Sequence, residues 1–240
     1  MKSFGRIILL GALCLSISIC YGQTAVDYFK RGVSKHNLGD YRGAIEDYNK
    51  AIELKPKNLA AYYYNRGFNK TFLKDYRGAI EDYNKAIELK PNFSDAYYGR
   101  GNANGLLNND YRRVIEDYNK AIELNPNFSD AYFQRGNIKG FHKDYKGAIS
   151  DLNKAIELNP KNSYAYNSRG LNKIQLQDYI GAIADFNKTL ELKPEESDAL
   201  VNRGISKMKS GQKASACLDF SKALELGRLE VIDIMKAYCY

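Results

Sequence analysis

The side chains that usually carry chemistry are few and widely separated in this 240-residue sequence. His36 and His142 are the two histidines, and neither has a cysteine or another histidine nearby, so the clusters that bind transition metals are missing. The segment Gly99–Arg100–Gly101, followed by Gly105, resembles a dinucleotide-binding loop, but no strand-like segment precedes it. No serine nucleophile elbow, phosphate loop or zinc signature is present either. The sequence therefore predicts no metal, no cofactor and no enzymatic activity.

Adjacent carboxylates such as Glu46–Asp47 recur along the chain, whereas a catalytic pair would be needed only once. They belong to the segment DYRGAIEDYNKAIELKP, which occupies residues 40–56 and is repeated letter for letter at 75–91. Related segments follow at residues 110–126, 144–160 and 178–194, with a diverged copy at 212–228. A sequence that repeats one unit over most of its length is typical of a solenoid, in which each unit packs mainly on its neighbours. This organisation favours a binding scaffold over an enzyme.

The repeating unit is predicted to form two helices. In the second helix, apolar residues recur at three- and four-residue steps from Tyr41 to Ile52, with an aspartate before the helix and a proline after it. A glycine in the first helix is expected to face the small Ala44-type residue of the second, so that the two backbones approach closely. Two extra residues, Leu59 and one within 107–110, are predicted to lie in loops. The units are 25–58, 60–93, 94–128, 129–162, 163–196 and 197–230, here called repeats 1 to 6.

The pattern of aromatic residues at positions 4, 17 and 24 of the unit, Gly at 8, Ala at 20 and 27 and Pro at 32 resembles the tetratricopeptide repeat (TPR). Repeat 6 departs from it, with Lys213 at position 17 and Arg228 at position 32. The resemblance implies an all-α, right-handed superhelical solenoid of six helix pairs over 25–230. Residues 231–240 are predicted to form a C-terminal capping helix.

The resemblance also implies a peptide-binding groove lined by the first helix of each repeat. By its position in the TPR unit, the predicted set is Tyr64, Phe68, Tyr98, Asn102, Phe133, Asn137, Asn167 and Leu171. The same correspondence places Phe72, Leu106 and Phe141 on this face. Tyr64, Tyr98 and Phe133 are expected to form an aromatic track, with the asparagines beside it pairing with a peptide backbone. The alternative is that some of these rings only fill the space between repeats.

Position 7, usually Leu in the family, is Arg in all six repeats, and position 23 is Asp in all six. This recurrence predicts structural ion pairs, including Arg66 with Asp82, Arg100 with Asp117 and Arg135 with Asp151. A ladder of arginines that binds an acidic ligand is the alternative.

The N-terminus has the order of a secretory signal peptide, with Lys2 and Arg6 before an apolar run and small residues before Gln23. Residues 1–22 are predicted to be cleaved, giving a secreted or periplasmic protein with no membrane span; an uncleaved anchor is the alternative. Loss of Lys2 and Arg6 would lower the net charge of +8 by two. The remaining basic residues are spread among acids, so nucleic-acid binding is not expected.

Two cysteines, Cys217 and Cys239, lie outside the predicted leader. Cys217 takes a position that Ile holds in the other repeats, which favours burial as a small apolar residue. A disulfide with Cys239 is the alternative.

The sequence thus predicts an exported scaffold that binds an unidentified protein or peptide in its groove. A purely architectural or self-assembling part of a cell-envelope complex is the alternative function.

Overall fold

The computed structural model describes residues 24–107 and 110–239. Within these residues the chain forms thirteen α-helices and no strands. They are α1 Ala25–Asn37, α2 Tyr41–Glu53, α3 Leu59–Phe72, α4 Tyr76–Leu89, α5 Ser94–Leu107, α6 Tyr111–Leu124, α7 Ser129–Phe141, α8 Tyr145–Leu158, α9 Ser163–Gln175, α10 Tyr179–Leu192, α11 Ser197–Lys209, α12 Lys213–Glu225 and α13 Val231–Tyr238. The predicted all-α array is confirmed, while the predicted signal peptide lies outside the described residues.

The helices pack in chain order. Each odd-numbered helix from α1 to α11 contacts the even-numbered helix that follows it, and each even-numbered helix contacts the next odd one. The buried apolar residues accordingly form small clusters at successive helix pairs. None of the helices in the described ranges is long and apolar enough to cross a membrane.

The ends of the second helices follow the sequence closely. The side chains of Asp40, Asp75, Asp144 and Asp178 accept a hydrogen bond from the backbone N–H three residues later, which satisfies a group that the helix leaves unpaired. At the other end, Lys90 adopts φ −142° and ψ 84° immediately before Pro91, so α4 stops there.

In repeats 5 and 6 the glycine of the first helix faces a larger neighbour than the sequence predicted. A Cβ placed on Gly204 would lie 2.6 Å from Cε1 of Phe220, and one on Gly170 would lie 2.9 Å from Cε1 of Phe186. These rings stand at position 24 of the unit, four residues beyond the predicted alanine. In these repeats the glycine makes room for the large buried ring rather than facing the alanine. In repeats 2 and 4 the predicted approach is present, since a Cβ on Gly67 or Gly136 would lie 3.1 or 3.2 Å from the backbone oxygen of Ala79 or Ala148.

The two extra residues both lengthen a first helix. Leu59 is the first residue of α3, so the prediction that it lies in a loop is wrong. Helix α5, which ends at Leu107, has 14 residues where α7 has 13, and three residues separate α5 from α6 as they separate α7 from α8. The second insertion therefore falls at the C-terminal end of α5 and leaves the length of the connection unchanged.

The last helix covers the end of repeat 6. Val231 and Met235 of α13 are buried in one cluster with Leu200, Phe220 and Ala223. Cys217 of α12 forms a disulfide with Cys239, with 5.7 Å between their Cα atoms. The structure therefore has the disulfide that the sequence left open as the alternative, and the covalent bond holds the capping helix to the array.

Candidate functional site

The face formed by the odd-numbered helices α1 to α11, here called the first-helix face, contains the predicted peptide-binding residues. Three of them, Tyr64, Tyr98 and Phe133, are half-buried between repeats. The ring centroid of Tyr64 lies 5.0 Å from that of Phe93 and 5.9 Å from that of Tyr83. Burial raises the pKa of the Tyr64 hydroxyl to about 12. Tyr64 also packs against a buried cluster that includes Ala103, so this ring contributes to the packing between repeats 2 and 3.

Tyr98 repeats the arrangement one unit later. Its ring centroid lies 4.9 Å from that of Phe128 and 5.8 Å from that of Tyr118, and burial raises the pKa of its hydroxyl. Phe133 packs against the buried cluster that includes Leu152. That cluster also contains Ala165 of repeat 5, and Phe128 lies in the connection that leads to repeat 4. For these three positions the geometry favours the alternative left open by the sequence, in which the rings fill the space between repeats.

Position 13 of the unit instead presents large apolar side chains to solvent in three successive repeats. Phe72, Leu106 and Phe141 are 47%, 60% and 73% exposed. Each is close to the C-terminal end of a first helix, and the three share one register position. Covering such a row with an apolar partner removes apolar surface from water, which favours binding. The correspondence with the TPR unit placed these residues on the same face as Tyr64, Tyr98 and Phe133. The two sets differ in the exposed fraction of their side chains, which only the structure gives.

Two clefts accompany this row. One, of about 430 Å³, is lined by Leu106 together with Thr71, Asn102, Gly105, Tyr118, Gln134 and Ile138. The next, of about 450 Å³, is lined by Phe141 and Leu171 together with Asn137, Gly140, Lys143, Tyr145, Ser168, Asn172 and Gln175. Both combine apolar walls with amide side chains, which suits a peptide whose side chains and backbone must both be accommodated.

The predicted asparagines differ in their surroundings. The hydroxyl of Tyr118 donates to Oδ1 of Asn102 over 2.6 Å, which fixes the orientation of that amide in the first cleft. Asn137 lines the second cleft, close to Leu171, which is 39% exposed. The Oδ1 atom of Asn167 is buried and has no hydrogen-bond partner among the described residues.

Phe68 belongs to an aromatic cluster at the N-terminal part of the face. Phe72 stacks on Tyr41 with 4.5 Å between ring centroids and meets Phe68 edge-on at 5.1 Å. His36 adjoins all three rings, and its Nδ1 lies 3.0 Å from Oδ1 of the buried Asn69. Asn69 uses its Nδ2 to bond Asn65, so His36 Nδ1 must donate to Oδ1.

Away from this face, the structure brings together each arginine of position 7 and the aspartate of position 23. Arg135 donates from Nε and Nη2 to the two carboxylate oxygens of Asp151 over 2.8 and 2.6 Å. Arg66 bonds Asp82 and Arg100 bonds Asp117 through the same groups. The aspartates are buried, and a bidentate contact is the strongest pairing that a guanidinium can make with a carboxylate.

The same arginines also join neighbouring repeats. Nη1 of Arg135 donates over 2.6 Å to Oδ1 of Asn119, which belongs to the second helix of the preceding repeat. Equivalent bonds join Arg66 to Asn49, Arg100 to Asn84, Arg169 to Asn153 and Arg203 to Asn187. Each guanidinium also lies over the tyrosine three residues earlier where position 4 is tyrosine, at 5.0 to 5.5 Å from the ring centroid. An arginine with this many partners in two repeats is held in place by the scaffold.

No group of three or more His, Cys, Asp or Glu side chains within 24–107 and 110–239 is arranged to hold a metal ion.

A linear array of helix pairs with an exposed apolar row along one face is the architecture of a protein–protein interaction scaffold. Models of the tetratricopeptide repeat match residues 25–58, 94–128, 117–150 and 163–196, and a model described as TPR repeat matches 73–108. The chain belongs to the tetratricopeptide repeat family, whose members bind protein partners and are typically non-enzymatic.

Solved structures agree on the fold. The TPR protein YrrB, described as having an unusual peptide-binding site, is 24% identical, with a TM-score of 0.69 over 79% of this chain and 97% of YrrB. A MamA structure is 28% identical, with a TM-score of 0.61 over 70% of this chain and 96% of its own. A tetratricopeptide repeat protein from Parabacteroides merdae is 21% identical, with a TM-score of 0.62 over 89% of this chain and 98% of its own. No curated protein matches the sequence.

Proposed function

We propose that this protein is an exported, non-catalytic scaffold that binds a peptide segment of a partner protein along the first-helix face. The exposed row Phe72, Leu106 and Phe141, with a cleft beside each of the last two, is the observation that carries the proposal. Apolar anchors at one register position of successive repeats suit a ligand whose own anchors recur regularly, as in an extended strand or a helix. The peptide-binding site named for YrrB is in keeping with this use of the fold.

Peptide binding through this row predicts a large effect of Phe141→Ala. We expect a peptide selected from a displayed random library on the mature wild-type array to bind Phe141→Ala at least about tenfold more weakly, since a buried aromatic anchor contributes 2 kcal/mol or more. Fluorescence polarisation with the labelled peptide measures the change. Tyr98→Ala and Phe133→Ala are poorer probes, because truncating these half-buried rings also disturbs the packing between repeats.

Leu218→Ala is the matched control, because Leu218 is 72% exposed on the second helix α12. It should leave the affinity unchanged. Equal losses in both variants, or a selected peptide that binds both variants like wild type, would contradict the proposal. Failure of the wild-type array to select any peptide, together with concentration-dependent self-association in light scattering, would favour the architectural alternative.

Export rests on the order of charges and apolar residues in 1–22, outside the described residues. The Cys217–Cys239 disulfide supports it, because such bonds persist mainly in oxidising compartments.

The export proposal predicts the covalent state of the protein recovered from the envelope or medium. Intact-mass analysis should give a chain that begins at Gln23 and has lost two hydrogens relative to the reduced form. Retention of residues 1–22 would contradict cleavage and support the anchor, and two free thiols would contradict an oxidising location.

A further inference from the structure

The aspartate of position 23 receives a second cation in five of the six repeats. A lysine at position 11 places its ammonium 2.8 to 3.0 Å from Oδ2 of the aspartate: Lys35 with Asp47, Lys70 with Asp82, Lys139 with Asp151, Lys173 with Asp185 and Lys207 with Asp219. In repeats 1, 2 and 5 the same ammonium also donates to the backbone carbonyl of the glycine at position 19. The ammonium is therefore a regular part of this structure.

Repeat 3 lacks this ammonium. Its position 11 is Asn104, whose shorter side chain reaches Asp117 only through a 3.4 Å contact from Nδ2 to Oδ2. Asp117 is as buried as its counterparts, with 6% of its side chain exposed, and keeps the ion pair with Arg100. Burial raises the pKa of Asp117, against the effect of Arg100, whereas the hydrogen bond from Arg31 dominates at Asp47 and lowers the pKa of that carboxyl.

A cavity of about 280 Å³ occupies the place of the missing lysine. Its walls come from α4, α5 and α6, and its lining residues are Ile80, Asn84, Arg100, Asn104, Arg113, Glu116 and Asp117. Asn84 and Glu116 are exposed, so the cavity reaches solvent. Ile80 supplies an apolar surface beside the carboxylate, which is the combination that an alkylammonium chain requires.

We propose that this cavity binds a primary ammonium group carried on an unbranched alkyl chain, at the place that lysine occupies in the other five repeats. The acceptors are Oδ2 of Asp117 and the backbone carbonyl of Arg113, the counterpart of the glycine carbonyl. A lysine side chain of a partner protein and a free diamine share this chemistry. The site is separate from the first-helix face.

The charge of Arg113 favours a lysine side chain of a partner protein over a free diamine. Arg113 replaces the glycine of position 19, and its Nε lies 3.3 Å from Oδ2 of Asp110 while 70% of its side chain is exposed. The guanidinium is thus held at the mouth of the cavity, where it repels a second positive charge on the ligand. A lysine side chain, which has one charge and a neutral backbone, fits this arrangement better than a diamine.

Thermal unfolding with n-butylammonium chloride as the probe tests the site. We expect the midpoint of the wild-type array to rise saturably by about 3 °C relative to tetramethylammonium chloride at equal ionic strength, because a ligand bound only by the native state stabilises it. Tetramethylammonium has the charge but no N–H donor. Asn104→Lys should raise the midpoint by a similar amount without ligand and abolish the response, since its own ammonium fills the cavity.

Lys70→Asn is the matched variant, because it removes the ammonium that pairs with Asp82 in repeat 2. It should lower the midpoint by about 3 °C, and n-butylammonium should restore most of this loss. Arg113→Gly should strengthen the wild-type response. Nα-acetyl-lysine N-methylamide should saturate at lower concentration than cadaverine; the reverse order would assign the site to free diamines.

The proposal is overturned if wild type responds equally to n-butylammonium and tetramethylammonium. It is also overturned if Asn104→Lys retains the full response, which would locate the amine elsewhere.

Discussion

Arg135→Ala should lower the free energy of unfolding by roughly 3 kcal/mol, because it leaves the buried carboxylate of Asp151 without its bidentate partner. The guanidinium side chain is 15% exposed and that of Asp151 is 6% exposed, so water cannot replace the lost bonds fully. The variant also loses the bond to Asn119 in the preceding repeat. Urea unfolding followed by circular dichroism measures the change.

Asp151→Ala should destabilise the array by a comparable amount, since it strands the cations of Arg135 and Lys139. The double variant should lose less than the sum of the two single changes, because the two residues share one interaction. Lys154→Ala is the control: its pair with Glu157 is exposed, and its loss should cost less than about 0.5 kcal/mol.

The alternative function of the arginines makes the opposite prediction. If they form a ladder for an acidic ligand, the Arg135→Ala variant should unfold at the same temperature as wild type and should bind that ligand more weakly. If they belong to the scaffold, the fraction of the variant that remains folded should bind the selected peptide with unchanged affinity.

Phe186→Ala should lower the free energy of unfolding by roughly 3–5 kcal/mol, the usual cost of removing a buried aromatic ring. Phe186 is 0% exposed and packs with Ala182 and Ala199 across the boundary between repeats 5 and 6. The glycine beneath it, Gly170, offers no side chain that could fill the cavity. Calorimetry and urea unfolding measure the loss.

The loss should be distributed unevenly along the chain. Because each repeat is stabilised mainly by its neighbours, Phe186→Ala should expose the amides of α9 to α13 to hydrogen exchange before those of α3 to α6. Ile180→Ala is the control, because Ile180 is 63% exposed on the same helix and its truncation should cost less than about 0.5 kcal/mol. Uniform loss of protection along the array would contradict this expectation.

The sequence predicted the helical parts of the fold well, because the forces that set them are local. In repeats 1 to 5 the aspartate before the second helix and the proline after it act on backbone groups within four residues, so Asp75 and Pro91 could be assigned directly. The exception is Leu59, where the extra residue extends a helix whose preceding Asn58 makes no capping hydrogen bond.

The candidate site was predicted less well. Register placed Tyr98 and Phe141 on the same face, but one ring packs between repeats and the other is 73% exposed. The ring of Phe128, from the connection after α6, covers Tyr98, whereas Phe141 contacts the ring of His142 and stays open to solvent. The sequence has Asn104 at position 11 of repeat 3, where the other five repeats have lysine. Only the five ammonium–carboxylate contacts of those repeats show what this lysine does in the structure.

By itself the sequence determined the repeating unit, its two helices and the recurrence of Arg with Asp, because periodicity and local capping are properties of neighbouring residues. Only the tertiary structure decided which side chain each helical glycine faces, which rings remain exposed, that Cys217 bonds Cys239, and that a cavity adjoins Asp117. These features depend on the distance and angle between helices that are far apart in the chain. Small changes in either decide whether a side chain is covered, and no local pattern records them.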